Sequence, residues 1–188
     1  MTLAEKLDKY SLLFNNGDIV LIKGTGLLGR LICWGDDAYW NHALVVKRDG
    51  ADLFAIEAEA NGVTPDYLLK ELAGVADFTI LRPLFPQATI DSALQAAFKA
   101  GQTGIPYNVW ALPKILLYVK LGLKSRVMSD YPHKEICSVF AAQEYGGRLP
   151  LTCYDDLIKS QGFITPQNIF DYASTKEFTK LATDPITK

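Results

Sequence analysis

The chain has 188 residues, of which 49% are hydrophobic, and it carries 19 basic against 21 acidic side chains. This length is typical of a single α+β or α/β domain, and it allows burial of roughly 70% of the unfolded surface, enough for a core without staples. The net charge of −2 and the scattered basic residues argue against a DNA- or RNA-binding protein, which would show a basic footprint.

The cysteines and the N-terminus bear on the cellular compartment. Cys33, Cys137 and Cys153 cannot all pair, and their spacing matches neither a CxxC motif nor a zinc finger, so we expect reduced thiols. The first ten residues mix charges of both signs and lack the apolar stretch of a secretion signal. The sequence therefore predicts a cytoplasmic protein.

Apolar spacing and turn residues predict the elements of the first half of the chain. Asn15-Asn16-Gly17-Asp18 ends the first helix, and Gly62-Val63-Thr64-Pro65 is expected to break the second strand of a hairpin. The predicted elements are a helix over 1–14, a strand over 19–22, a short helix over 27–34, hairpin strands over 43–46 and 53–56, a helical turn over 66–72 and a strand over 78–83.

The second half is predicted to be largely helical. Its expected elements are a helix over 90–99 closed by Gly101, an apolar segment over 109–123, a helix over 137–145 stopped by Gly146-Gly147, and a short helical start at 165–168 followed by a fraying tail. No repeat or linker appears. We therefore expect one domain over 1–188, made of an N-terminal helix (1–16), a core (17–170) and a C-terminal tail (171–188).

The apolar segment 109–123 has two readings. It is too short, and too interrupted by Pro113, to span a bilayer, which favours a helix of the core. Alternatively, residues 110–123 form an amphipathic lip that contacts an acyl chain or a membrane surface. The lysines that would flank such a lip are Lys114, Lys120 and Lys124.

The predicted hairpin places a histidine beside a carboxylate. If Asp49 and Gly50 form a two-residue loop, His42 lies directly opposite Glu57, on the same face, with Cβ atoms about 5 Å apart. A four-residue loop keeps the pair, whereas an odd loop or a bulge breaks it. Glu59 lies on the same face and replaces Glu57 if the register slips. Either carboxylate would hold the imidazole in one tautomer and stabilise its protonated form.

Cys137 begins a predicted helix, where free N–H groups and the helix dipole favour a thiolate and can donate to an oxyanion. A thiol and an imidazole brought together form a nucleophile and its base, which makes Cys137 and His42 the candidates. His133 is the rival base, although no carboxylate is placed to orient it. A zinc site from these three residues would lack a close ligand pair. Cys33 and Cys153 are expected to be packing or surface thiols.

Several ordered motifs carry a resemblance to a known family. In chain order they are Gly17-Asp18-Ile19-Val20, Ile32-x-Trp34, Asn41-His42-Ala43-Leu44-Val45-Val46, Ile56-Glu57-Ala58 with Gly62-Val63, Gly104-Ile105-Pro106-Tyr107, Ile136-Cys137-Ser138 and Thr165-Pro166. Over most of residues 17–170 the chain resembles the circularly permuted NlpC-like papain-fold cysteine hydrolases of the YiiX/YaeF-like group, in which the histidine precedes the cysteine. This resemblance implies an α+β papain-like fold with a central antiparallel sheet or small barrel packed against helices and a nucleophile at a helix N-terminus.

The resemblance also implies roles for individual residues. The nucleophile falls on Cys137, the base on His42 and the polar third member on Glu57. His42 and Glu57 are also the pair that the predicted hairpin register brings together. Asn108 departs from the pattern, since relatives often have an aspartate after the tyrosine. Candidates for the oxyanion hole or for substrate contact are Tyr39, Trp34 and Tyr107.

Together these features predict a cysteine hydrolase that cleaves an amide, peptide or acyl ester bond through an acyl-enzyme intermediate, with no metal or organic cofactor. Its partner would be a peptide, amide or acyl substrate, and the lack of an export signal favours a cytoplasmic amidase or peptidase. One alternative is a lipid-directed thiol acyltransferase or lipase of the same fold. Another is a binding module that keeps the fold without catalysis.

Overall fold

The computed structural model describes residues 1–59, 62–103, 120–121, 137, 141, 164–173 and 178–181. Its helices are α1 (Leu3–Ser11), α2 (Leu27–Asp36), α3 (Leu68–Ala73), α4 (Gln87–Thr103) and α5 (Pro166–Ala173). Its strands are β1 (Ile19–Gly24), β2 (His42–Asp49), β3 (Asp52–Glu59), β4 (Gly62–Tyr67), β5 (Val75–Pro83) and β6 (Phe178–Leu181).

The described strands form one sheet in the order β4-β3-β2-β1-β5-β6, and every neighbouring pair in it is antiparallel. Helices around one central antiparallel sheet agree with the α+β class, and of the sheet or small barrel that the resemblance implies, the described strands form a sheet. The long strands β2 and β3 are joined by a tight turn, which brings the chemistry-bearing residues of the hairpin side by side.

An apolar layer joins α1 and α3 to the sheet. Helix α1 begins with a capping box, in which Thr2 and Glu5 bond each other's backbone N–H groups, an arrangement that satisfies two otherwise unpaired donors. The alternation of β1, β2, β3 and β5 sends every second apolar side chain into this layer. Its buried members are Tyr10, Phe14, Val20, Ile22, Leu44, Val46, Leu53, Ala55, Leu68, Leu72, Phe78 and Ile80.

The hairpin register differs from the predicted one by two residues. Asp49 pairs with Asp52 and Val45 with Ile56, so the loop is Gly50 and Ala51 rather than Asp49 and Gly50. Gly50 has a φ of 59°, which suits the first loop position of a type II′ turn and costs glycine little. Because the shift is even, the alternation of the two faces is kept.

The second hairpin strand ends at Glu59, before residues 62–65 as expected, but these residues form a further strand and not a turn. They belong to β4, which pairs along β3 with Pro65 opposite Ile56. Since β4 is an edge strand of the described sheet, the missing N–H of Pro65 can face away from the ladder, the position in which a sheet tolerates proline. The helical turn expected over 66–72 is confirmed as α3 (Leu68–Ala73), except that residues 66 and 67 still belong to β4.

Two further expectations are corrected near the ends of elements. Helix α4 continues past Gly101 to Thr103, because a single glycine inside a helix costs only about 1 kcal/mol. The tail does not simply fray: Phe178–Leu181 forms β6 and pairs with β5, with Lys180 opposite Leu81. The predictions for 109–123 and 137–145 lie outside the described residues, except that Lys120, Leu121, Cys137 and Ala141 are helical.

None of the helices in the described part of the chain has the length and apolar character needed to cross a membrane.

Candidate functional site

His42 is the first residue of β2, and its backbone is aligned against Ile22 of β1. The preceding residue anchors this end of the strand. The side-chain amide of Asn41 accepts a hydrogen bond from Gly24 N (2.8 Å) and donates one to Gly24 O (3.0 Å). Asn41 is buried, and a Cβ at Gly29 would lie 2.7 Å from its Nδ2. Glycine at position 29 therefore lets α2 approach the strand end.

A second anchor holds the segment before Asn41. Gln167 of α5 accepts hydrogen bonds through Oε1 from Tyr39 N (3.0 Å) and Trp40 N (3.4 Å). Its own amide is oriented by donation to Asp171 Oδ1 at 2.9 Å. The C-terminal part of the chain thus fixes the entry into the histidine strand.

The structure brings His42 and Glu57 into direct contact, with 2.5 Å between Nε2 and Oε2. In the observed register Glu57 does not lie directly opposite His42, and the two form a diagonal pair on one face. Diagonal neighbours on adjacent strands remain within reach of long side chains. The Glu57 side chain is only 3% exposed, whereas that of His42 is 21% exposed, so a buried carboxylate holds a ring that is partly open to solvent.

Cys137 acts on the same ring. It is buried and helical, and its side chain both hydrogen-bonds and interacts electrostatically with His42. Burial by itself would lower the pKa of His42, but the electrostatic interaction and the hydrogen bond with Cys137, together with the contact with Glu57, outweigh burial and raise that pKa well above 6.5. Because Glu57 occupies Nε2, the ring nitrogen left for the thiol is Nδ1.

Of the other candidates, Tyr39, Trp34 and Cys33 belong to the described part of the chain. The Tyr39 hydroxyl donates to Asp77 Oδ2 at 3.0 Å, so its proton is already committed, and burial together with Asp77 raises its pKa. Trp34 is 65% exposed. Cys33 donates to Tyr39 O at 3.5 Å, which fits the packing role expected of it. Tyr107, the rival base His133, Asn108 and Cys153 lie outside the described residues, as does the side chain of Glu59.

Sequence reasoning missed the buried ion pair beside this segment. Lys6 of α1 is fully buried, pairs with Asp77 Oδ1, and donates to Phe78 O at 2.6 Å. A signal was available, because Lys6 follows Leu3 by three and precedes Tyr10 by four, which places a charge on the apolar face of the first helix. Asn41 and Gln167 carried no comparable signal, since their partners are distant in sequence.

The described residues offer no group of three or more His, Cys, Asp and Glu side chains arranged to hold a metal ion. The contact between His42 Nε2 and Glu57 Oε2 is also shorter than the spacing of two ligands of one metal ion. Two ligands of one tetrahedral ion at about 2.0–2.2 Å stand about 3.3 Å apart, whereas these two atoms are 2.5 Å apart. Their arrangement is that of a direct hydrogen bond.

Comparison with known proteins bears on the fold. No family model matches the sequence, and no curated protein matches it. Among solved structures, the metalloprotein YiiX from Escherichia coli O157:H7 is similar, with a TM-score of 0.66 and 15% sequence identity over 90% of this chain and 97% of that one. The term metalloprotein describes that protein. At this level of identity the likeness shows a shared fold alone, and the chain therefore has a YiiX-like fold.

Proposed function

We propose that this chain is a cysteine hydrolase of the permuted papain-like type that cleaves an amide or peptide bond, or an acyl ester, through Cys137, His42 and Glu57. One observation carries the proposal: a single imidazole contacts a buried carboxylate and a buried thiol. A nucleophile, its base and a group that orients the base recur together in enzymes that transfer acyl groups.

In the proposed mechanism the resting site is a thiolate and imidazolium pair. The Cys137 sulfur attacks the substrate carbonyl carbon, and the carbonyl π electrons move onto oxygen to form a tetrahedral intermediate. As the intermediate collapses, the carbon–nitrogen or carbon–oxygen bond breaks and His42 gives its proton to the leaving group. The products of this half are a free amine or alcohol and an acyl-enzyme.

The second half returns the site to its starting state. Neutral His42 takes a proton from water as the water oxygen attacks the thioester, and collapse expels the Cys137 thiolate with a carboxylic acid. Throughout, Glu57 accepts the Nε2 hydrogen bond, which keeps Nδ1 directed to the sulfur and stabilises the imidazolium. No metal takes part in the proposal, and besides the substrate and one water molecule each step uses only side chains of the chain itself.

The substrate class is divided between amides and lipid esters. Cleavage of an amide requires protonation of a poor leaving group, and the contacts that raise the pKa of His42 favour the imidazolium that would supply that proton. A lipid-directed acyltransferase or lipase is the second candidate, favoured by the exposed apolar residues of α2. Profiling against a panel of peptide amides and phospholipid esters, with Cys137→Ser as the inactive reference, decides between them.

The nucleophile is tested by iodoacetamide labelling in a Cys33→Ser/Cys153→Ser background, which leaves Cys137 as the single thiol. At pH 6 an ordinary thiol, with a pKa of about 8.5, is almost wholly protonated. A thiol with a lowered pKa has a larger thiolate fraction at this pH, although each such thiolate is a weaker nucleophile. With both effects included, we expect Cys137 to react about tenfold or more faster than an ordinary thiol at pH 6. His42→Ala and Glu57→Gln should each remove most of this advantage.

Two control variants complete the labelling experiment. Glu71→Gln changes a carboxylate away from the site and should leave the labelling rate of Cys137 unchanged. Cys137→Ser/Cys153→Ser leaves Cys33, which reports the rate of a packing thiol. If Cys137 reacts no faster than Cys33 at pH 6, and His42→Ala makes no difference, the chain is a binding module that keeps the fold without catalysis.

A further inference from the structure

Helix α2 presents its largest apolar side chains to solvent. Leu27, Leu31 and Trp34 are spaced by four and three residues, so they lie on one face of the helix, and they are 77%, 44% and 65% exposed. A surface helix of a globular protein normally turns this face to the core. Contiguous exposed apolar residues of this kind mark interaction surfaces rather than ordinary surface variation.

The inward side of α2 has small residues instead. Gly29 lies against the Asn41 side chain, and Cys33 contacts Asn41 Nδ2 at 3.5 Å. These contacts fix the orientation of the helix, because Gly29 and Cys33 lie on the face opposite Leu27, Leu31 and Trp34. The outward exposure of the apolar side chains is therefore built into the packing of α2 beside the histidine strand.

Basic side chains lie beside these exposed apolar residues of α2. Arg30 lies on the same face as Leu27 and Trp34 and is exposed. Lys120, also exposed, places its ammonium 4.7 Å from the centre of the Trp34 ring and donates to Trp34 O at 3.1 Å. The next residue, Leu121, is 59% exposed. None of the outward positions 27, 30, 31 and 34 is acidic.

We propose that this α2 ridge, formed by Leu27, Arg30, Leu31, Trp34, Lys120 and Leu121, docks the protein on the surface of an anionic lipid bilayer. Interfacial helices combine leucine and tryptophan, which enter the boundary between headgroups and acyl chains, with lysine and arginine, which meet anionic headgroups. Long basic side chains can lie along the apolar surface with their charge kept in water. The ridge has these parts together on one side.

Charge complementarity favours a bilayer over a second copy of the chain. The molecule is acidic overall, with a net charge of −2, while the ridge carries two exposed cations among its apolar side chains. A symmetric contact between two copies of this ridge would bring Arg30 and Lys120 of both copies close together and bury like charges, which costs free energy. An anionic headgroup layer instead neutralises both cations.

The test is co-sedimentation with vesicles of phosphatidylcholine alone and of phosphatidylcholine mixed with phosphatidylglycerol. We expect binding to the mixed vesicles and little to the neutral ones. Arg30→Gln and Lys120→Gln should each weaken binding about fivefold, and Leu31→Gln/Trp34→Gln by about tenfold or more. Leu12→Gln and Leu84→Gln, which change exposed leucines outside the ridge, should bind as the unmodified chain does.

The outcome is independent of the catalytic proposal, because Cys137→Ala should bind vesicles as the unmodified chain does whether or not it was ever an enzyme. Binding that is equal for both vesicle types, or unaffected by the ridge variants, would overturn the proposal. So would self-association in light scattering that the Leu31→Gln/Trp34→Gln variant abolishes while vesicles bind neither protein, since the ridge would then be a contact between copies.

Discussion

Opposing interactions determine the pKa of His42. Burial disfavours its charged form, and the Cys137 and Glu57 side chains favour it strongly enough to raise its pKa well above 6.5. A raised folded-state pKa means that the folded protein binds this proton more tightly than the unfolded chain. The resulting stabilisation is fully present below the unfolded pKa and is lost as pH rises through the folded pKa.

This balance can be measured by NMR titration, because the chain has only two histidines. His133→Gln assigns the His42 signal. We expect His42 to titrate well above 6.5, and Cys137→Ala and Glu57→Gln each to lower its pKa, because burial is then opposed by one partner fewer. Glu71→Gln should leave the titration in place. A His42 midpoint near 6.5 that neither variant moves would contradict the assignment of both contacts.

The second prediction at this scale concerns the buried Lys6. Lys6→Met keeps most of the side-chain volume but leaves Asp77 without its cation in a buried setting, which we expect to lower the free energy of unfolding by about 3 kcal/mol. Urea denaturation measures the loss. Adding Asp77→Asn should recover part of it, since the uncompensated charge is removed.

Lys70→Met is the matched control for Lys6→Met. Its partner Asp66 lies four residues earlier on the surface, with 2.5 Å between Nζ and Oδ2, and exposed pairs of this kind contribute little to stability. Equal effects of Lys6→Met and Lys70→Met would mean that burial of the Lys6 pair does not decide its contribution.

At the scale of elements, a substitution in the β2–β3 turn tests how the register of the hairpin is set. Gly50 has a φ of 59°, and a Cβ there would meet nothing within 4 Å, so Gly50→Ala should cost about 1 kcal/mol through backbone strain alone. Gly74→Ala is the control, because Gly74 has a φ of −96° and its Cβ would also meet nothing. Thermal unfolding that ranks the two variants equally would contradict the turn assignment.

The same turn shows why the site was partly predictable. Loop residues predicted a hairpin, and any even loop keeps His42 and Glu57 on one face. The choice between Asp49-Gly50 and Gly50-Ala51 was beyond the sequence pattern, because it depends on the pairing of whole strands. The side-chain lengths of His42 and Glu57 absorb the difference, and the contact survives as a diagonal one.

Strand β4 shows the opposite case. Gly62 and Pro65 are turn residues in any local reading, yet β4 completes the edge of the sheet. Proline is excluded from a central strand and tolerated at an edge, and the sequence pattern does not say which strand is at the edge. The strand was therefore missed for a reason that lies in tertiary structure.

For the whole molecule, β6 is the far edge of the described sheet. It covers β5 through four residues, and Phe178 is buried. Deletion of residues 174–188 should lower the free energy of unfolding by about 3 kcal/mol or more and promote association through the uncovered edge of β5. Deletion of 182–188 alone keeps β6 and should have much less effect on urea denaturation. Two truncations of equal stability would show that β6 contributes nothing to the sheet.

By itself the sequence determined the elements with strong periodicity, from α1 to the hairpin and β5, and it placed a histidine and a glutamate on one face. These features follow from local patterns of two or 3.6 residues. Tertiary structure decided the register, the two edge strands, the burial of Lys6 and the meeting of Cys137 with His42. Those depend on contacts between residues far apart in the chain, where packing and desolvation outweigh local preference.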